Sequence, residues 1–399
     1  MISSTDHTNP VARPVPTLLS VGLRPFFLLG AIWAAFAMTI WSLALAGRLD
    51  LPSRFDPVSW HAHAFLFGYL GAIIAGFLLT AVPNWTGRPP LQGWPLLGLV
   101  LLWMIGRGAV AKSAHWPVVP VAIVDLSFPV VLGALILREI IIGQNWRNLI
   151  IVGMLAAFAI ANLIFHLEAA HGGYAAQGLG LRLGLAASVM MISVIGGRVV
   201  PAFTRNWFKK TGRDVHVPAP MQRFDKITLL FTLIMLALWV VLPAAAITGI
   251  ALLSLAAVQS ARLVRWKGHH TAAEPLVLVL HAGYAFVPLG ALTLGLGLLW
   301  PDHLDLAASQ HIWMAGAIGL MTLAVMTRAA LGHTGRDLHA GAGTVVIYCT
   351  LVVSVLARLC AGIWPFDPSL LYLVSGLFWV AAFGGFAVLY GRHLIGPKA

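Results

Sequence analysis

From Phe26 almost to the C-terminus, apolar runs of around twenty residues alternate with short polar joints. A run of that length crosses the hydrocarbon core of a bilayer as an α-helix. Twelve such segments can be drawn, at about 25–46, 61–82, 94–112, 118–142, 149–168, 181–203, 226–243, 246–264, 275–299, 309–330, 341–363 and 369–393. The pattern predicts an all-α, polytopic transmembrane helix bundle. The count depends on Pro243, which either separates two short helices or kinks one long one. The division into domains is simple: a polar tail over 1–24, one twelve-helix membrane domain over 25–393 and a short tail over 394–399.

Charge in the joints orients the bundle. Arg205, Lys209, Lys210, Arg213 and Arg223 follow the sixth segment, and Arg262, Arg265 and Lys267 follow the eighth, whereas the joints at Pro243, Asp302 to Asp305 and Asp367 lack Lys and Arg. An excess of Lys and Arg marks the cytoplasmic side. The alternation holds if Pro243 is a true turn, which gives twelve helices with both termini cytoplasmic.

Composition agrees: 59% of the 399 residues are hydrophobic and 10% are charged, too few charges for a water-soluble surface. The net charge of +12 lies in the joints rather than in a soluble basic patch, so it reads as a topology signal and not as a nucleic-acid footprint. The two cysteines, Cys349 and Cys360, share one apolar run, and eleven helical residues separate them by about 16 Å, too far for a disulfide. Residues 1–24 have no apolar core of the signal-peptide kind and read as a short cytoplasmic tail.

Within this topology the histidines acquire positions. His61 and His63 open the second helix, His166 and His171 close the fifth, and His311 opens the tenth, all on the outer side and with Glu168 nearby. His7, His216, His269, His270, His333, His339 and His393 fall in cytoplasmic joints or tails, and His115 and His303 in outer joints, where an imidazole can rest in the headgroup zone. Five on three converging helices point instead to a metal or haem, since imidazole is the commonest metal ligand and haem often takes an axial histidine. His281 stands alone in the inner half of the ninth helix, either functional or hydrogen-bonded to a neighbouring helix.

Helical geometry separates the first pair. Two positions apart on an α-helix, His61 and His63 point about 200° away from each other and cannot share one ion unless the helix is unwound. On the His61 side run Ala64, Gly68, Ala72 and Gly76, a small-residue stripe that admits a neighbouring helix or, in the sharper reading, a flat macrocycle. Arg107, Asp125 and Arg358 lie in the outer parts of their helices, where an unpaired charge is expensive. Arg107 with Asp125 forms a structural pair, or else Arg107, Arg182 or Arg358 binds haem propionates. At the other face, the stretches 83–88, 196–206 and 326–336 combine Gly, Asn and Arg and read as structured, interlocking turns. The chain has no Walker loop, dinucleotide fingerprint, Ser-His-Asp set or zinc-protease spacing.

Several long motifs in fixed order resemble the NnrS family of bacterial membrane proteins. They are Trp60-His61-Ala62-His63 leading into 75–87; Asn162, Phe165, His166 and Glu168; Gly196-Gly197-Arg198 through Asn206; His281 with Tyr284; and His311 through Gly316-Ala317-Ile318-Gly319 to Gly332-His333-Thr334-Gly335-Arg336. The resemblance covers most of the chain. It implies a twelve-helix protein of the bacterial inner membrane that contains haem and copper and is associated with denitrification and the nitric oxide response. One departure stands out: family members typically carry an acidic residue directly after the paired histidines, where this chain has Ala64.

The expected function is a membrane redox protein of nitrosative stress. It binds nitric oxide or a similar small gas, and reduces or detoxifies it, at a histidine-ligated centre in the outer half of the membrane. His61, His63, His166 and His311 are the expected metal ligands. His281 is a further cofactor ligand, and Arg107, Arg182 and Arg358 are the expected haem partners. Glu168 takes the catalytic role of proton carrier or orienting group. The cofactors are haem, expected to be b-type, and copper, with electrons from an unidentified donor. The alternatives are a polytopic transporter and a non-catalytic haem-based sensor.

Overall fold

The computed structural model describes residues 15–398. It consists of twelve helices long and apolar enough to cross a membrane, α1 (Leu23–Leu45), α2 (Pro57–Thr86), α3 (Trp94–Ala111), α4 (Val118–Ile142), α5 (Trp146–Ala170), α6 (Leu179–Lys210), α7 (Arg223–Val241), α8 (Ala246–Val264), α9 (Pro275–Leu299), α10 (Leu306–His333), α11 (Ala342–Ala361) and α12 (Ser369–Ile395). The chain does break at Pro243, so α7 and α8 are separate. Most of the polar segment expected over 1–24 lies outside the described residues, and its last two residues, Leu23 and Arg24, already belong to α1.

Successive helices pack as antiparallel neighbours, and the bundle closes where α12 returns to α1. Two kinds of bond make that closure. The Trp379 indole donates to the Ala34 carbonyl at 3.2 Å, and the buried Arg24 guanidinium donates to the carbonyls of Leu394 and Gly396 at 2.8 and 2.7 Å. The second pair satisfies carbonyls that the end of α12 leaves without helical partners.

The helices α2, α6, α9 and α10 are the most enclosed. Three of them share an ending that the sequence reading missed: α2, α6 and α10 each run into Thr-Gly-Arg, at 86–88, 211–213 and 334–336. Gly87, Gly212 and Gly335 lie at φ of 69°, 67° and 77°, the left-handed conformation that closes a helix cheaply only when Cβ is absent. These helices are four apart in chain order, so the signature recurs once per group of four helices. Of the three stretches expected to interlock, 196–206 and 326–336 touch, with Arg328 over the Phe203 ring, while Arg88 pairs with Glu139 and Arg198 donates to the Asn148 side chain at 3.0 Å, both partners lying outside these stretches.

Two helices depart from α geometry. In α2 residues Ala64–Tyr69, and in α10 residues Ile312–Leu320, form π-helix, and each run begins directly after a histidine, His63 or His311. A π turn bonds i to i+5 and rotates everything beyond it relative to a continuous α-helix; such turns concentrate at functional sites. The Trp33 indole donates to the Ala64 carbonyl and the Trp103 indole to the Gly68 carbonyl, both at 2.9 Å.

The small-residue stripe on α2 is occupied by α1. A Cβ on Gly76 would meet Phe26 and Phe27, and Gly30 of α1 faces Ala72 and Ile73. Gly68 lies against Arg107 and the Trp33 indole. The room a flat macrocycle would need along the stripe is filled by these side chains, so the stripe serves helix packing.

Candidate functional site

The short first part of α2 is fixed before its histidines are reached. Asp56 caps it, accepting the N–H groups of Val58 and Ser59 at 3.0 Å, with Pro57 in the first turn, where its missing N–H costs nothing. The same device opens α10, where Asp305 accepts from Ala307 and Ala308 at 3.1 and 3.0 Å. Both helices thus present their histidines at the same end of the bundle, on rigid, capped starts.

His63 points into a buried polar cluster. Its Nε2 lies 3.0 Å from Asp125 Oδ2 of α4 and 3.0 Å from Asn162 Oδ1 of α5. His166 Nε2 of α5 approaches the same Asp125 oxygen at 3.0 Å, and the Asn162 amide donates to it at 2.8 Å. The other Asp125 oxygen pairs with Arg107 of α3. All five side chains are at most 5% exposed. Among the described residues, His63, Asp125 and His166 form the one His, Cys, Asp or Glu group close enough to grip a single ion.

A tetrahedral metal with bonds of about 2.0–2.2 Å holds its donors about 3.3–3.6 Å apart, and each imidazole Nε2 stands 3.0 Å from the shared Asp125 oxygen, so those contacts need to open only slightly to accept one. Arg107 and Asn162 fix the carboxylate and satisfy its remaining lone pairs, as the supporting groups of a metal ligand do. A small cavity adjoins Asp125, Arg107 and Asn162 and is otherwise walled by Phe67, Phe128, Phe158 and other apolar side chains.

His61 faces elsewhere. Its ring stacks on Trp41 of α1 at 4.5 Å between centroids, and the His311 ring of α10 lies 6.1 Å away with its plane within 13° of parallel. His311 Nδ1 donates to the Ala307 carbonyl at 2.7 Å, a bond that leaves Nε2 as the free lone pair. Arg358 of α11 stands close to both imidazoles, and one of its buried nitrogens has no hydrogen-bond partner. The His61 Nδ1 is likewise buried and unpartnered.

Several candidates from the sequence stand apart from these two sets. The Glu168 carboxylate accepts the backbone N–H groups of Leu179 and Gly180 at 2.6 and 3.1 Å, capping α6 instead of facing the histidines. Four orphan donors at a helix start attract a nearby carboxylate strongly, and that competition explains its position. Arg182 donates to the carbonyls of Val240 and Gln177 at 3.2 and 2.6 Å. His171 is exposed and bonds back to its own helix. His281 bonds to Thr204 at 2.8 Å near the other end of the bundle.

Sequence reasoning also placed Arg262 in a joint. It is fully buried inside α8, donating to Asp225 at 2.8 Å and to the Ser193 carbonyl and the Tyr284 hydroxyl at 2.9 Å. Tyr284 in turn donates to Gln259, which donates to Thr232, both at 2.8 Å. The network ties α6, α7, α8 and α9 together. Its sequence signal was an acid in the first turn of α7 opposite a base in the last turn of α8.

Residues 17–398, nearly the whole chain, match the family model described as NnrS protein. No curated protein matches the chain.

Proposed function

The chain belongs to the NnrS family, and from that premise we propose that it is a haem- and copper-containing redox protein of the bacterial inner membrane, acting in the nitric oxide response. It binds nitric oxide at a histidine-ligated centre in the outer half of the membrane and reduces or otherwise detoxifies it there. The observation that carries this reading is the division of α2: His63 joins His166 and Asp125 on one side, and His61 meets His311 beside Arg358 on the other.

The first set would hold copper, for which imidazole and carboxylate donors are suitable. The second offers imidazoles to haem iron and a guanidinium to its propionates. Bound there, haem and copper supply the change of oxidation state and the affinity for nitric oxide that side chains lack. The protein's own residues do the rest. Arg107 and Asn162 hold Asp125 in place, Phe67, Phe128 and Phe158 keep water from the adjoining cavity, and that apolar cavity suits a small neutral gas.

The test is direct. Detergent-purified protein should contain iron and copper by elemental analysis and show a Soret band. With an artificial electron donor it should consume nitric oxide, two molecules with two electrons and two protons giving nitrous oxide and water. Metals without consumption favour a haem-based sensor. Absence of both metals and of the Soret band sinks the redox reading and leaves a transporter.

A further inference from the structure

The spacing of His61 and His311 carries more than proximity. Two imidazoles that fill opposite positions on one metal, with bonds of about 2.0 Å and ring nitrogens about 1.1 Å from the ring centres, place those centres about 6.2 Å apart. The observed separation is 6.1 Å, and the planes differ by 13°. Among the described residues the other near-parallel ring pairs lie closer, His61 with Trp41 at 4.5 Å and Phe386 with Tyr390 at 4.9 Å; otherwise only tilted and edge-on pairs are spaced at 6 Å or more.

The surroundings narrow the occupant. Among the described residues no third histidine, carboxylate or thiol completes a cluster around these two histidines, which leaves the other positions of a metal between them to a non-protein ligand such as a macrocycle. The backbones of α2 and α10 do not pack closely against each other; the helices meet through side chains, at His61 and His311 and again where the Tyr69 hydroxyl bonds to Thr322 at 2.7 Å. Arg358, with an unpartnered buried nitrogen, stands beside both imidazoles as a cationic partner for an acidic substituent. The α10 backbone carbonyl of Ala307 orients the His311 ring from behind, the usual support for an imidazole ligand.

We propose that His61 and His311 are the two axial ligands of a single six-coordinate haem, bridging α2 and α10. The proposal rests on the functional reading above and divides its labour. With both axial positions held by histidine, such a haem would offer no open position to a gas and would serve to pass electrons, so nitric oxide would meet the His63, Asp125 and His166 side of α2, two residues away on the same helix.

The experiment uses the purified holoprotein, with haem content, electron paramagnetic resonance of the ferric form and the ferrous spectrum under carbon monoxide as readouts. Wild type should give a low-spin ferric signal and a ferrous haem whose spectrum carbon monoxide leaves unchanged. H61A and H311A should each convert that haem to a high-spin, carbon monoxide-binding form, and added imidazole should restore the low-spin signal. H63A and H166A should leave the low-spin signal intact while lowering copper content. If a variant fails to incorporate haem, H61M and H311M provide the second reading, since a thioether ligand keeps the iron low-spin with a raised reduction potential. Haem that stays low-spin and unshifted in all four position-61 and position-311 variants overturns the assignment while leaving the functional reading standing. A wild type without haem overturns both.

Discussion

Arg107 of α3 and Asp125 of α4 form an ion pair removed from solvent, and the same carboxylate collects Asn162, His63 and His166. One acidic side chain thus ties α2, α3, α4 and α5 together. Its position follows from the cost of an unpaired charge in an apolar bundle, which makes each partner the other's best neighbour.

Removing one member should therefore hurt more than removing both. Asp125→Asn is expected to lower stability by about 3–5 kcal/mol by stranding a buried guanidinium, and to reduce bound copper. The pair Arg107→Met with Asp125→Leu should recover much of the stability but none of the copper. Thermal unfolding in detergent and elemental analysis check the two halves separately. Equal destabilisation by the single and double variants would contradict the pairing.

Glu168 gives a sharper contrast because its carboxylate caps α6. Glu168→Ala should cost about 1 kcal/mol, in the range for losing a helix cap, with metal content unchanged. Glu168→Gln keeps a carbonyl acceptor and should cost less than the alanine variant. Were Glu168 a proton carrier, the glutamine variant would lose turnover as completely as the alanine one, and comparison of the two nitric oxide consumption rates decides the matter.

The twelve spans were legible because a bilayer imposes length and apolarity on every crossing segment, and even the joint at Pro243 followed from charge alternation. The split between His61 and His63 was legible too, because both precede the π turn, where α periodicity still applies. Beyond Ala64 the offsets lose their register, and nothing in the residues Ala64 to Tyr69 announces an i to i+5 turn; its support comes from Trp33 and Trp103 on other helices. The cap that Glu168 makes was not legible for a similar reason. Its proximity in sequence to His166 was visible, but the orphan N–H groups of α6, which claim it, start eleven residues later. Arg262 counted as a joint residue because the end of α8 and the position of Asp225 opposite it could not both be known from one strand of text.

The π turn of α2 should respond to its two indoles. Trp33→Phe and Trp103→Phe each remove one N–H donor from a carbonyl of that turn, Ala64 and Gly68 respectively. Each should lower stability by about 1 kcal/mol, the net worth of one hydrogen bond. Amide hydrogen exchange over 64–69 should accelerate in both variants while exchange in α7 and α8 stays unchanged. Uniform acceleration throughout the bundle would mean that the indoles stabilise the fold generally and not this turn.

The network around Arg262 predicts an effect far from the histidines. A Cβ on Gly197 would come within 2.7 Å of Arg262 Cζ, and the guanidinium cannot easily swing aside because Asp225, the Ser193 carbonyl and the Tyr284 hydroxyl all hold it. Gly197→Ala should thus cost about 1–3 kcal/mol, the usual penalty for overpacking a filled interior. Arg262→Met alone should cost about 3–5 kcal/mol, because it strands the buried Asp225, and adding Gly197→Ala to it should cost little more, since the clash disappears with the guanidinium. The two substitutions touch one contact, so their effects should be non-additive. Melting temperatures of the two single variants and the double variant complete the cycle, with the copper and haem content of Gly197→Ala expected at wild-type level. Strict additivity would show that Gly197 is not read by Arg262 at all.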